Sequence, residues 1–342
     1  MKSIKRLGID LAKSVFELCG VNERGEVILR KTVKRKDLLI FISNIEKTEI
    51  CMEACGGSHY WARKFGEIGH KVRIIPASYV KPFVKSQKND QNDALAITEA
   101  ASRPTMNFVQ PKEIWQQDLQ LIHRVRSRLM AQSGQLRNQM RGFLMEYGLV
   151  IGEGLSKFQK SIPLILEDST NDLTLETRAI MHDLFEEYNA IEQRKKKYDL
   201  KVQEIAKKNP LCKRLTKIPG VGPLTSTIFV AQMGNAEAYK NGRQAAASLG
   251  LVPRQRSTGG RSILQGITKR GDPYVRCLLV HGARSAVKVA AKALPETATP
   301  EQQRIKKMLE RKHMNVVVIA VANRNARIML TMLKSGKEYQ AA

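Results

Sequence analysis

Along the first hundred residues the apolar positions fall in short runs, and between those runs the spacing changes from period two to a helical period. Arg6-Leu7-Gly8-Ile9-Asp10 and Glu49-Ile50-Cys51-Met52-Glu53 are apolar stretches of strand length, each closing on a carboxylate. The pattern predicts strands over 4–10, 14–21 and 26–33, with Asn22-Glu23-Arg24-Gly25 as the turn of a hairpin. A helix follows over 36–46, a strand over 49–54, a helix over 57–69 ending at Gly69, and a strand over 71–75. Asp93-Ala94-Leu95-Ala96-Ile97 then continues a helix that opens at Asp90.

Beyond Lys112 the pattern is helical as far as Lys208, with Pro163 as its one interruption. Leu119, Ile122, Val125, Leu129, Leu136, Met140 and Phe143 recur at helical spacing, with Arg124, Arg126, Arg128, Arg137 and Arg141 between them. The stretch from Leu173 to Ala206 repeats this and carries Arg194-Lys195-Lys196-Lys197. Two such helices predict an antiparallel hairpin or coiled-coil arm, able to join subunits or to lie along a nucleic-acid backbone. The expected fold is therefore an α/β domain over 1–108, an α-helical coiled-coil region over 109–210, and a mainly α domain over 211–342.

Candidate chemistry enters with Asp10, Glu53, Asp90 and Asp93. Asp10 and Glu53 end predicted strands, and the three-residue spacing of Asp90 and Asp93 puts both on one face of a helix's first turn. Each alone could be a cap or a strand-end turn residue. The four together suit a hard divalent cation, Mg²⁺ or Mn²⁺, because such ions take several carboxylate oxygens and phosphate in phosphodiester chemistry. Strands and helices in this order, with carboxylates on the first strand, the fourth strand and the last helix, resemble the RNase H or RuvC-like arrangement.

Charge narrows the partner. The formal net charge is +26, and from Leu211 onward 23 Lys and Arg face 6 Asp and Glu. A field of that sign attracts polyanions and releases their counterions, so nucleic acid is the expected partner. The longest strongly apolar run, Val316 to Ala322, is far short of the roughly 20 residues of a spanning helix, and no membrane partner is expected. Five cysteines without a Cys-x-x-Cys pair argue against a disulfide framework or zinc site and fit a reducing cytoplasm. Cys51 and Cys55, flanking Glu53, are expected to fill core.

Two further motifs lie in the basic C-terminal part. Ile218-Pro219-Gly220-Val221-Gly222-Pro223 reads as the turn of a helix-hairpin-helix element, in which Gly220 and Gly222 would let backbone amides approach a phosphate; a plain helix-joining turn is the alternative. Ser257-Thr258-Gly259-Gly260, hemmed by Arg254, Arg256, Arg261, Lys269 and Arg270, reads as a phosphate-binding loop with a candidate hydroxyl nucleophile. By itself such a loop is also a common flexible turn.

Gly8-Ile9-Asp10, Met52-Glu53-Ala54, Asp90-Gln91-Asn92-Asp93-Ala94, the Ile-Pro-Gly-Val-Gly turn, Gly250-Leu251-Val252-Pro253, Ser257-Thr258-Gly259-Gly260 and Thr268-Lys269-Arg270-Gly271 together resemble the DEDD transposases of insertion sequences, the IS110 family, and within it the IS1111 group. The resemblance spans about residues 4 to 285. It implies a RuvC-like N-terminal domain, a coiled-coil middle and a C-terminal transposase domain with a serine nucleophile. It also implies a structured guide RNA encoded beside the gene, donor and target DNA as substrates, and a homodimer assembling to a tetramer that acts on the nucleoid in the cytoplasm. Carried over by position, Asp10, Glu53, Asp90 and Asp93 match the metal-binding carboxylates. Ser257 matches the nucleophile, with Thr258 as the alternative because some relatives have serine directly before the first glycine. A RuvC-like nuclease that resolves Holliday junctions or other DNA structures with the carboxylates alone is the alternative activity.

Overall fold

In a computed structural model of the chain, residues 3–84, 90–234 and 236–340 are described, with Asp90 and Gln91 described by their helical backbone only. The chain divides into two compact units, Met1–Ile114 and Trp115–Ala342.

The first unit is built on β1 (Arg6–Asp10), β2 (Val15–Val21), β3 (Val27–Lys34), α1 (Leu38–Ser43), β4 (Glu49–Glu53), α2 (Ser58–Glu67), β5 (Lys71–Ile75), α3 (Ala77–Val80) and α4 (Asp90–Ala101). The five strands form one sheet in the order β3-β2-β1-β4-β5. The β1–β2 and β2–β3 pairs are antiparallel, whereas β1–β4 and β4–β5 are parallel. Period-two alternation gives the sheet two apolar faces. Leu7, Ile9, Phe16, Leu18, Ile50 and Met52 turn to one side and pack on Leu38 and Ile42 of α1 and Trp61 and Phe65 of α2. Cys51 and Ile75 turn to the other and meet Ala96, Ile97 and Ala100 of α4. The expected 36–46 helix is shorter here, because a single 3₁₀ turn over Arg35–Asp37 precedes α1.

The second unit begins with two long helices, α5 (Ile114–Met145) and α7 (Leu175–Lys208), with α6 (Leu155–Glu167) between them. Arg126 pairs with Asp199, the Ser133 hydroxyl donates to Glu192 at 2.5 Å, and the Tyr147 and Thr177 hydroxyls are 2.8 Å apart. As residue numbers rise along α5 their partners fall along α7, so the two helices run antiparallel. Leu129, Leu136, Met140 and Leu144 of α5 bury against Met181, Tyr188 and Ile191 of α7, and Phe158 and Ile162 of α6 join them.

Pro163 does not interrupt the helical region; it lies inside α6. The breaks come instead before α6, where Gly148 and Gly154 take positive φ of 71° and 109°, and at 168–174.

The remainder comprises α8 (Pro210–Leu215), α9 (Pro223–Met233), α10 (Gly242–Ser248), β6 (Pro253–Thr258), β7 (Arg261–Ile267), α11 (Pro273–Lys292), α12 (Pro300–Leu309) and α13 (Met314–Ser335). Phe229, Val230, Leu279, Ala283, Val287, Val321, Ala326 and Met329 are among its fully buried core side chains. The helix α13 is long and apolar enough to cross a membrane, yet it is a core helix whose Val317, Val321 and Met329 pack with residues of α9 and α11. The segment expected to be a loop around Ser257 is instead an antiparallel hairpin of β6 and β7. Gly259 and Gly260 have φ of 55° and 78°, the paired positive values a two-residue hairpin turn requires, and this turns a polar stretch into two strands.

Candidate active site and nucleic-acid interface

Asp10 and Glu53 end adjacent parallel strands. Ile9 is in register with Met52, so the two carboxylates follow side by side on the sheet face opposite Leu7 and Ile9. Asp93 is on the first turn of α4, which packs over that same face, and Asp90 is the helix's first residue. Gly8 sets the height of α4: a Cβ there would lie 2.4 Å from both the Ala94 carbonyl oxygen and the Thr98 hydroxyl. Only a glycine lets α4 rest directly on β1, one turn beyond its carboxylates.

Asp10 and Glu53 also bear on the Cys55 thiol. Partial burial and the negative charges of Glu53 and Asp10 push it above its ordinary value. Cys55 is exposed just past the end of β4, so it does not fill core as expected, whereas Cys51 does and its thiol is pushed up to about 12 by burial.

Glu17 of β2, which carries no motif in the sequence, is paired directly with Asp10 of β1. Its carboxylate accepts the Thr32 hydroxyl at 2.8 and 3.0 Å, which holds it within the sheet. At the opposite end of β4, Glu49 is bound by Arg6 at 2.8 Å and Arg73 at 2.5 Å. Burial opposes its charge, but the two guanidiniums prevail and keep the carboxyl below the usual range.

The donor chemistry of Asp10, Glu53, Asp90 and Asp93 fits a hard dication, since all four offer only oxygen. Among the described residues no group of three or more His, Cys, Asp or Glu side chains converges to hold a metal ion. The side chain of Asp90 lies outside the described residues.

In the second unit Ser257 is in β6 directly opposite Ser262 of β7, and Thr258 pairs with Arg261 beside the glycine turn. Arg254, Arg256, Ser257, Thr258, Gly259, Gly260 and Arg261 are all exposed. The Gln255 amide donates to Ser257 Oγ at 2.8 Å and to Ser262 Oγ at 3.1 Å. Gln255 and Ser262 belong to no motif in the sequence; the pairing of β6 with β7 is what aligns them with Ser257. Lys269 and Arg270 follow β7, and Lys269 has a φ of 56°.

Gly220 and Gly222 differ. A Cβ on Gly220 would lie 2.4 Å from the Gly282 carbonyl oxygen, and one on Gly282 would lie 1.8 Å from the Gly220 oxygen. Gly220 is therefore used to bring this turn against α11, and Asn325 secures it by donating to the Pro219 carbonyl at 2.9 Å. Gly222 is exposed at the N-terminus of α9 with open space around its Cα.

A strand-end carboxylate pair beneath a carboxylate-bearing helix is compatible with a DEDD nuclease-like N-terminal domain. Two family models match: a DEDD transposase domain of the IS110 type over residues 7–149, and the transposase IS116/IS110/IS902 family over residues 212–297. The transposase for insertion sequence element IS1111A of Coxiella burnetii is 39% identical over 340 residues, covering 99% of this chain and 92% of that one. A probable family 20 transposase of Pseudomonas aeruginosa is also 39% identical, over 99% of both chains. The transposase for insertion sequence element IS1328 of Yersinia enterocolitica is 35% identical, again over 99% of both. The chain belongs to the IS110/IS116/IS902 family of insertion-sequence transposases, enzymes that cut and rejoin DNA.

Proposed function

We propose that this transposase exchanges DNA strands through a covalent link between Ser257 and DNA, with Asp10, Glu53, Asp90 and Asp93 as the ligands of Mg²⁺ or Mn²⁺. The carrying observation is the side-by-side placement of Asp10 and Glu53 on the sheet face that α4 covers. The sheet order and the placement of the carboxylates support the RuvC-like reading of this domain. A dication at the carboxylates would supply Lewis acidity to a phosphoryl oxygen.

Ser257 Oγ attacks phosphorus: the Oγ–P bond forms while the P–O3′ bond breaks, leaving a 5′-phosphoseryl end and a free 3′-hydroxyl. A 3′-hydroxyl of another strand then attacks the same phosphorus and releases the serine. The phosphodiester energy is conserved in the covalent link. Gln255 acts by donating to Ser257 Oγ, which fixes the hydroxyl while leaving its proton free to depart. Arg254, Arg256, Arg261, Lys269 and Arg270 offset phosphate charge around the hairpin.

In the same reading residues 1–108, 109–210 and 211–342 act as a RuvC-like part, a coiled-coil part and a transposase part. The α5–α7 pair joins subunits into a dimer that assembles to a tetramer on DNA. The turn between α8 and α9 works as a helix-hairpin-helix element through the exposed Gly222. A guide RNA encoded beside the gene pairs with donor and target DNA, and the protein works in the cytoplasm at the nucleoid.

A denaturing gel of protein with labelled donor DNA, guide RNA and Mg²⁺ tests this. Ser257→Ala should abolish the adduct, Thr258→Ala should reduce it several-fold, and Asp10→Asn should abolish cleavage while nucleic-acid binding persists. An adduct that survives Ser257→Ala but not Thr258→Ala moves the nucleophile to Thr258. The carboxylates belong to one unit and Ser257 to the other, so the carboxylates alone could serve a structure-specific nuclease. Cleavage without any adduct selects that reading.

A further inference from the structure

At the base of the β6–β7 hairpin lies a cavity of about 590 Å³ whose lining includes Arg254, Arg256, Gln265, Thr268 and Arg270. No lining residue is acidic. The three arginine side chains make no hydrogen bond or ion pair among the described residues, so their charge faces the cavity and solvent uncompensated. The Thr268 hydroxyl is buried and has no hydrogen-bond partner among the described residues. Folded proteins satisfy nearly all such groups, so this hydroxyl is available to donate to a group that enters the cavity.

The backbone behind Thr268 is held on every side. Its N–H donates to the Val252 carbonyl at 2.8 Å, and the Lys269 N–H donates to that of Gly250 at 3.2 Å. Arg276 ties both segments together, donating to the Leu249 carbonyl at 3.1 Å and to that of Arg270 at 2.7 Å. Gly271, at φ 71°, allows this junction, since a Cβ there would lie 1.9 Å from the Ser248 oxygen. Lys269 is held in the left-handed region, a strained conformation for a residue with a side chain. The wall is thus tied into the 249–252 segment, and the cations are on long, exposed side chains. An anion drawn in by the arginines reaches the hydroxyl by moving those side chains, with no backbone rearrangement.

We propose that this cavity binds one backbone phosphate of the DNA strand lying along the hairpin, with the Thr268 hydroxyl donating to a non-bridging oxygen. The proposal rests on the DNA-handling reading above. Arg254 is three residues before Ser257, roughly 10 Å along an extended strand. The phosphate held here is therefore a neighbour of the attacked one, and binding it sets which phosphodiester meets Ser257. Thr268 is a positioning residue in this role.

The experiment uses full-length protein and end-labelled duplexes of the element's terminus, each with one neutral methylphosphonate linkage. For the wild-type protein one position should weaken binding about tenfold when neutralised, the worth of one charge-assisted hydrogen bond with its ion pairing. Thr268→Val should weaken binding of the unmodified duplex by a similar factor and lose its response at that position; Thr268→Ser should behave as wild type. The melting temperature of free Thr268→Val should be unchanged or higher, because the hydroxyl it removes has no partner in the fold.

A fall of several degrees would mark the hydroxyl as structural and overturn the proposal. So would a Thr268→Val protein that still responds at the same position as wild type. Salt-sensitive binding with no responsive position would overturn the pocket alone; failure of the wild-type protein to bind any duplex would overturn the pocket and the DNA reading together.

Discussion

At Gly8 a single missing methyl group decides where a helix lies. With 2.4 Å to the Ala94 oxygen and to Thr98 Oγ1, a Cβ cannot be added without lifting α4 from β1. Gly8→Ala is expected to cost about 1–3 kcal/mol of stability, as overpacked cores do. It should also lower strand-transfer rate by more than tenfold, since α4 carries Asp93 and a displacement near 1 Å costs that much in a positioned site. Urea denaturation and single-turnover kinetics on the same preparation check both halves. Normal turnover in a destabilised Gly8→Ala protein would detach the carboxylates from the chemistry. The strand-ending motif Gly8-Ile9-Asp10 is visible in the sequence, but the reason for its glycine is not. That reason is a backbone oxygen some eighty residues away, which no local pattern contains.

Elements are tied together by polar groups whose partners are equally distant. His123 of α5 sits between the Thr227 hydroxyl of α9 at 2.9 Å and the Tyr274 hydroxyl of α11 at 3.0 Å. Burial, and secondarily Arg126, lower its pKa to about 4. The folded protein therefore keeps this imidazole neutral down to about pH 4, whereas the unfolded chain protonates it below about 6.5. The unfolded state binds more protons in that window, so stability falls as pH drops from 6.5 toward 4 and is full above it. The size is on the order of 3 kcal/mol, a difference of roughly 2.5 pH units at 1.36 kcal/mol each. Calorimetric melting between pH 7 and 4.5 should show this acid loss, and His123→Asn, which keeps a hydrogen-bonding side chain, should flatten it. An unchanged acid limb in that variant would assign the loss to other groups, among them His59, whose pKa burial, Lys112 and Arg63 also lower to about 4.

At the scale of the whole molecule the excess of 26 positive charges governs association. Affinity for DNA should fall by about a thousandfold between roughly 50 and 200 mM salt, as for proteins that neutralise several phosphates. Filter binding across that range measures the slope. A flat response would reduce the basic excess to a solvated surface.

The sequence by itself determined the alternation of strands and helices, the strand-end positions of Asp10 and Glu53, the amphipathic stripes of α5 and α7, and the basic character of the C-terminal part. All of these are local: burial and secondary structure follow from periodicity, and charge from composition. Tertiary structure alone decided the rest. It placed Gly220 against Gly282, made Ser257 a strand residue facing Ser262, exposed Cys55, and left the Thr268 hydroxyl buried without a partner. Each of these depends on which distant backbone or side chain occupies the same few ångströms, and spacing along the chain carries no record of that.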